Sequence, residues 1–326
     1  PTPAMLKSIA KVALTVDPIW RASCATWRPL GVSVLMYHRI PPDTDVFPGT
    51  AVDQFRQQMR WLRECCDPIH PDQLQEAAAH PTRWKRPPVL VTFDDGYRDY
   101  HDLAYPILAE LKITSIVFLA TGAIDRQEMI WTDDVNWVVH KTSRPEVHLP
   151  WDASQIHRPT HRDARMALGL ACKSFLKGIP NQQRLDWLEQ LYAELGVHPA
   201  HSGLERQMLS WDEVRAASEY TCWGGHTHNH PILSQLDAGP MEDEIRICRE
   251  RILAETGRAP RYFAYPNGRA QDFTPTTQSL LAKHGFELGF STIEGLHNGR
   301  GDRYAIRRQH TGAANLGEFA MRVLGR

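Results

Sequence analysis

The sequence predicts an α/β fold built on a parallel sheet whose strand ends share one face. Three observations carry that expectation. Short β-like apolar runs alternate with helical patterns along most of the chain, the order expected of parallel βα units. The run at 89–93 is apolar almost throughout, as a strand buried on both faces must be. Residues able to do chemistry stand just after strands: His38, Asp94 with Asp95, His226, and the turn Pro266, Asn267, Gly268. In a closed parallel array such positions lie on one rim, where enzymes of this architecture place their sites.

The first β-like run is 32–37, ending in His38. Asp53 is expected to cap a helix carrying Phe55, Met59, Leu62 and Cys66 at helical spacing. Pro71 suits the first turn of a short helix through Ala79. Strand 89–93 delivers Asp94, Asp95, Gly96 and Tyr97. Tyr100, Leu103, Ile107, Leu108 and Leu111 then form one helical stripe before a buried strand at 115–120. The alternation stops at 131–207, where no strand is expected. One helical face there is Leu168, Cys172, Phe175, Leu176 and Ile179. A second is Leu185, Leu188, Leu191 and Leu195, with Asn181 as its cap and Gly196 past its end.

The alternation resumes with Ser210 and Glu213, spaced as a capping box. Strand 221–225 leads to His226. A helix from Pro240 closes at Gly257, strand 262–265 leads to Pro266, and a helix from Pro275 ends at Gly285. Strands near 287–291 and 304–308 complete about seven. The expected division is a helical extension over 1–30, an α/β body over 31–130 and 208–326, and a helical insertion over 131–207 that walls or covers the site.

Charged residues make up 23% of the chain and the formal net charge is −1, which leaves no electrostatic footprint for nucleic acid. A neutral or carbohydrate-like partner fits better, and no obligate protein partner is evident. Cys65 and Cys66 are adjacent within a helical pattern, so they read as buried thiols. The apolar run Ile9 to Val16 is interrupted by Lys11, a poor signal-peptide core, whereas Leu6, Ile9, Ala13 and Val16 make a helical stripe with Lys7 and Lys11 off it. The expectation is a cytoplasmic protein, with weak peripheral membrane contact through this helix as the functional option.

An Asp-Asp-Gly turn can simply close a strand. Two adjacent carboxylates can also divide labour, one ligating a metal and the other serving as a base. Gly224 to Pro231 holds His226, His228 and His230. The spacing of His226 and His230 predicts two imidazoles on one face of a helical turn, gripping one ion with an Asp. One Asp and two His leave room for water, as hydrolytic metal sites require.

These stretches resemble the polysaccharide deacetylases that share the NodB homology domain, carbohydrate esterase family 4. The carrying residues are Thr92 to Tyr97, His226 to Pro231, and Phe263 to Gly268. Gly285 to Gly295 is similar to a late strand of the exopolysaccharide-type members. The resemblance implies a distorted (β/α)7-type barrel and removal of N-acetyl groups from GlcNAc-type units. O-acetyl ester removal, or a carbohydrate-binding member without turnover, are its alternatives. It implies Asp94 as base, and Asp95, His226 and His230 as ligands of one divalent ion, zinc first and nickel or cobalt as alternatives. It implies an oxyanion donor at the Asn267 N–H, with Tyr97, Tyr265, Pro266 and Gly268 shaping the substrate wall. The Tyr37-His38 segment resembles the one in which the family's exopolysaccharide members carry a general acid, which makes His38 the expected acid and His310 the fallback. Ala264 stands where the family has an Arg that orients the base, so Arg261, Arg269, Arg307 or Arg308 must take that part.

Overall fold

A computed structural model of the protein describes residues 31–41, 46–201, 203–312 and 315–325. The expected helix over 1–30 lies outside these residues. Among the described residues there are ten strands: β1 (Ser33–Tyr37), β2 (Asp67–Pro68), β3 (Pro88–Phe93), β4 (Ser115–Leu119), β5 (Val147–Leu149), β6 (Asp152–His157), β7 (Thr221–Gly225), β8 (Tyr262–Ala264), β9 (Leu288–Glu294) and β10 (Ile306–His310). Seven form a closed parallel ring in the order β1, β10, β9, β8, β7, β4, β3 and back to β1. The short β2 pairs with the start of β3 outside that ring.

Register places the strand ends together. Tyr37 pairs with Phe93, Leu119 with Gly225, Gly225 with Phe263, and Met36 with His310. His38, Asp94, Asp95, His226 and His310 therefore emerge on the same rim. The ring is irregular where β10 meets β9, with a register shift between Ile306 and Arg308.

Strand alternation sorts side chains between the barrel interior and the surrounding helices, with a third cluster around Phe263, Tyr265, Phe286 and Ile245. Val34, Leu90, Ile116, Phe118, Ala264, Phe290 and Ile306 fill the barrel interior. Leu35, Val91, Phe93, Val117 and Leu119 point outward against the helices. Those helices are α1 (Val52–Cys65), α2 (Leu74–Ala79), α3 (Tyr105–Glu110), α4 (Thr121–Arg126), α5 (Trp131–Lys141), α6 (Arg162–Leu176), α7 (Asn181–Leu195), α8 (Trp211–Ala216), α9 (Ala238–Thr256), α10 (Pro275–Lys283) and α11 (Leu316–Val323). Leu74, Ala77 and Ala78 of α2 belong to the interior core. Cys65 and Cys66 are buried, and none of the five described cysteines is in a disulfide. Among the described residues no helix is long and apolar enough to cross a membrane.

The capping box forms as expected: Ser210 Oγ accepts from the Glu213 N–H, and Glu213 accepts from the Ser210 N–H. Four local expectations differ from the structure. α1 begins one residue before Asp53, which sits in the first turn, where its charge meets the helix dipole without capping. α7 begins at Asn181 itself, whose Oδ1 accepts from the Arg184 guanidinium. The 131–207 stretch holds an antiparallel hairpin of β5 and β6 between α5 and α6. Its second strand, Asp-Ala-Ser-Gln-Ile-His, is mostly exposed and carries little apolar signal, so periodicity could not show it. The last two ring strands also run about two residues later than expected.

Candidate active site

β3 carries the carboxylate pair to the rim and the backbone then breaks sharply. Asp95 has φ 79° and Gly96 φ 85°. A positive φ is costly for a non-glycine residue, and such strain collects at functional sites. Four of the six described non-glycine residues with positive φ lie in the three motifs: Asp95, Thr227, His230 and Asn267. The result is that neighbouring carboxylates face different surroundings.

Asp94 is 2% exposed and meets Arg308, which is fully buried. Arg308 Nη1 and Nη2 donate to the two carboxylate oxygens at 2.6 and 2.7 Å. The guanidinium is itself fixed: Nε donates to the Ser291 carbonyl at 2.8 Å, and its Cζ lies over the Phe118 ring, 5.6 Å from the centroid. Burial acts to raise the Asp94 pKa, but Arg308 outweighs it and leaves the carboxyl below its ordinary value. Of the four arginines left open by the sequence, Arg308 is the one that meets Asp94.

Asp95 faces the other way. Its Oδ1 lies 3.1 Å from His226 Nε2 and 3.2 Å from His230 Nε2. His226 Nδ1 is 2.7 Å from the Ala264 carbonyl, which can only accept, so Nδ1 carries the proton. In the neutral ring, Nε2 then presents a lone pair to a carboxylate oxygen. Asp95 Oδ1 has no hydrogen-bond partner among the described residues despite being buried. Buried acceptors converging without a donor are the signature of a cation site, and this set could hold a divalent ion.

The histidines reach this point through a tight loop and not through a helical turn. Residues 226–232 are non-helical, with Thr227 at φ 65° and His230 at φ 57°. The loop is tied at both sides. Thr227 Oγ1 accepts from the His230 N–H at 3.0 Å. Glu244 of α9 accepts from the backbone N–H groups of His228 and Asn229 at 2.8 and 2.7 Å. His228 turns aside to Thr121. A second group, His101, Asp102 and Glu213, also has metal-like spacing. Its carboxylates are already neutralised by Arg98 and Arg206, which makes it a poor competitor.

His38 is half exposed, with Nε2 3.9 Å from Asp94 Oδ2. His310 is exposed at the end of β10, and partial desolvation lowers its pKa. Both line a cleft of about 560 Å³ together with Asp95 and Tyr97. A second cavity, about 910 Å³, opens on the other side past His230 and is walled by Trp131 and Arg184. Helices α5 to α7 thus flank the rim on both sides.

The third motif is more buried than its expected part requires. Tyr265 is 1% exposed, donates its hydroxyl to the Tyr304 carbonyl and stacks on Phe273, so it supports the loop and does not line the cleft. Pro266 and Gly268 are also buried, and Gly268 sits at φ 62°, where a side chain would press on Thr292. Asn267 is partly exposed; no backbone carbonyl among the described residues accepts from its N–H. Tyr97 is buried with its hydroxyl on Asp133.

Sequence reasoning missed a buried network beneath the cleft. Arg39 donates to Asp99 at 3.0 Å, to Asp133 at 3.2 Å and to Gln207 at 2.6 Å. Its guanidinium is sandwiched between Phe47 and Tyr97, at 4.3 and 4.4 Å from their centroids. The available signal was only adjacency: Arg39 follows His38 directly. Nothing local marked Asp133 as its partner, 94 residues away.

A family model described as polysaccharide deacetylase matches residues 81–161 and 182–289, more than half of the chain. The putative polysaccharide deacetylase YxkH of Bacillus subtilis (strain 168) is 31% identical over 103 residues, 30% of this chain. That stretch spans only 35% of the relative's own length. Among solved structures, the Streptococcus pyogenes deacetylase PplD, solved in complex with acetate, superposes with a TM-score of 0.60 at 16% identity, over 91% of this chain and 100% of that one. IcaB from Ammonifex degensii superposes with a TM-score of 0.57 at 20% identity, over 90% of this chain and 97% of that one. At these identities the two superpositions speak for the shared fold.

Proposed function

Because this chain belongs to the polysaccharide deacetylase family, we propose that it removes N-acetyl groups from GlcNAc-type units of a polysaccharide or glycan precursor. The observation that carries this reading is the divided carboxylate pair. Asp95 turns toward two imidazoles, while Asp94 stays with Arg308. A binding module has no use for a second, separately held carboxylate.

In this reading Asp95, His226 and His230 hold one divalent ion, zinc first. When bound, that ion polarises the acyl oxygen and makes a water more acidic. Asp94 takes the water's proton; Arg308 keeps it ionised and fixes its orientation. His38, on the same rim, returns a proton to the leaving amine as the C–N bond breaks. The Asn267 N–H faces the developing oxyanion. The half-exposed position of His38 suits a group that must meet a bulky leaving sugar.

The acetate held by PplD is the product of both amide and ester cleavage, so it fits N-deacetylation and O-deacetylation alike. The test is acetate release by the metal-loaded protein from matched N-acetylated and O-acetylated glucosamine oligomers. Release from the N-acetyl series, lost in Asp94→Asn, supports the proposal. Release only from O-acetyl esters replaces it with the esterase reading, and no release from either removes it.

A further inference from the structure

The cleft holding His38 and Asp95 has a charge pattern that the chemistry above does not use. Leu170, Lys173, Ser174 and Lys177 line it from α6 and the residue just past its end. Their spacing of three, four and seven puts them on one face of the helix. Arg269, following the third motif, lines the same cleft. Three cations thus share one wall.

Among the described residues no carboxylate forms an ion pair with them, although Asp133 acts on Lys173 and Asp272 and Asp95 on Lys177 from further away. Lys173 Nζ donates to Asn136 Oδ1 at 2.6 Å, an uncharged partner. No ion pair to Lys177 or Arg269 occurs among the described residues. The acids that line the cleft are committed elsewhere, Asp133 to Arg39 and Asp95 to the imidazoles. Asp272 already accepts from the Arg269 backbone N–H and the Asn267 amide. Burial, with repulsion from Arg269 and Lys173, holds the Lys177 ammonium below its ordinary pKa, so the three charges feel one another. A helix C-terminus welcomes one cation, which accounts for Lys177 alone. It does not account for Arg269, which comes from a different element.

Resting on the deacetylase reading, we propose that the substrate carries an oxyanion, a phosphate ester or a carboxylate, beside the acetamide, and that Lys177 and Arg269 bind it. Lys173 adds to the field behind them. Grouping like charges costs free energy in the empty cleft, and an anionic substituent turns that cost into attraction. Exposed Leu170 offers an apolar patch for the face of the same sugar.

The experiment measures kcat/KM for acetate release from three N-acetylglucosamine compounds of similar size. One is neutral, one carries a uronic acid carboxylate, and one carries a 1-phosphate. Wild type is compared with Lys177→Gln/Arg269→Gln at low and high sodium chloride. At least one anionic compound is expected to exceed the neutral one by about tenfold at low salt, the scale of a partly screened charge pair. That preference should shrink as salt rises and approach unity in the double variant. Preference for the phosphate alone identifies a phosphate ester as the source, and preference for the uronate alone identifies a carboxylate. A neutral compound turned over as well as both anionic ones overturns the inference while leaving the deacetylase reading intact. A double variant that keeps the preference overturns it in the same way. Release from none of the three overturns both.

Discussion

Arg308 grips both oxygens of Asp94 from the opposite end of the chain, 214 residues away, with neither side chain more than 2% exposed. A buried bidentate pair of this kind fixes orientation as well as charge. Removing one partner strands the other, at a cost of about 3–5 kcal/mol. Arg308→Gln is therefore expected to lower Tm and to change the pH profile. Asp94 must be ionised to act as base, and its folded pKa is depressed while Arg308 is present. Without the guanidinium, the largest opposition to burial is gone, only His226 and His38 still act against it, and the pKa rises. The acid limb of kcat/KM should then move to higher pH, with Arg308→Lys falling between the two. A profile that stays in place while activity drops would show that Arg308 serves only stability.

The identity of the general acid separates two histidines that share the cleft. His38→Ala is expected to keep its metal and lose about 100-fold or more in rate, the scale of acid–base catalysis. His310→Ala should lose far less, since desolvation lowers its pKa and leaves less of it protonated near neutrality. Turnover and metal content of both variants check this. The reverse pattern would transfer the role to His310.

Much of this site was readable because its parts are local. Thr92 to Gly96 and His226 to His230 each keep their chemistry within a few residues, and each follows a strand, so the ring topology aligns them. The βα alternation implies parallel strands, and their closure into a ring is what the family resemblance implied. What sequence could not supply was long-range pairing. Arg308 was one of four arginines in suitable regions, and only the register of β10 against β1 and β9 singles it out. Periodicity also misjudged how the two histidines meet. A spacing of four suits a helical turn, but Thr227 and His230 adopt left-handed backbone that the Glu244 and Thr227 hydrogen bonds stabilise. The 131–207 stretch read as a wall or cover for the site, and nothing local marked that its Asp133 pairs with Arg39 beneath the cleft.

Glu244 gives a test of that loop. It touches neither Asp95 nor the ligand nitrogens, but it accepts from two backbone N–H groups between the histidines. Glu244→Ala is expected to weaken metal affinity by about 10–100-fold, as loss of outer support for ligands usually does. Competition against a chelator measures it. An unchanged affinity would mean that the loop holds its shape without this anchor.

Asp134 makes a stability prediction with a defined sign. Burial, reinforced by the neighbouring Asp133, pushes its carboxyl up to about 8. The folded state therefore favours the protonated form, and ionisation costs stability. That cost is absent below the unfolded pKa of about 4, grows as pH rises, and levels off above the folded value. Asp134→Asn should raise Tm over wild type at pH 9, with a smaller gain at pH 5. Equal gains at both values would place the effect outside this ionisation.

Anomalous diffraction at the zinc edge, from crystals of the zinc-loaded protein, tests the division between Asp94 and Asp95 most directly. The expected result is one strong peak about 2.0–2.2 Å from Asp95, His226 Nε2 and His230 Nε2. Asp94 should lie outside that sphere, still bound by Arg308. A peak coordinated by Asp94, a peak only at His101, Asp102 and Glu213, or no peak at saturating zinc would each contradict this account.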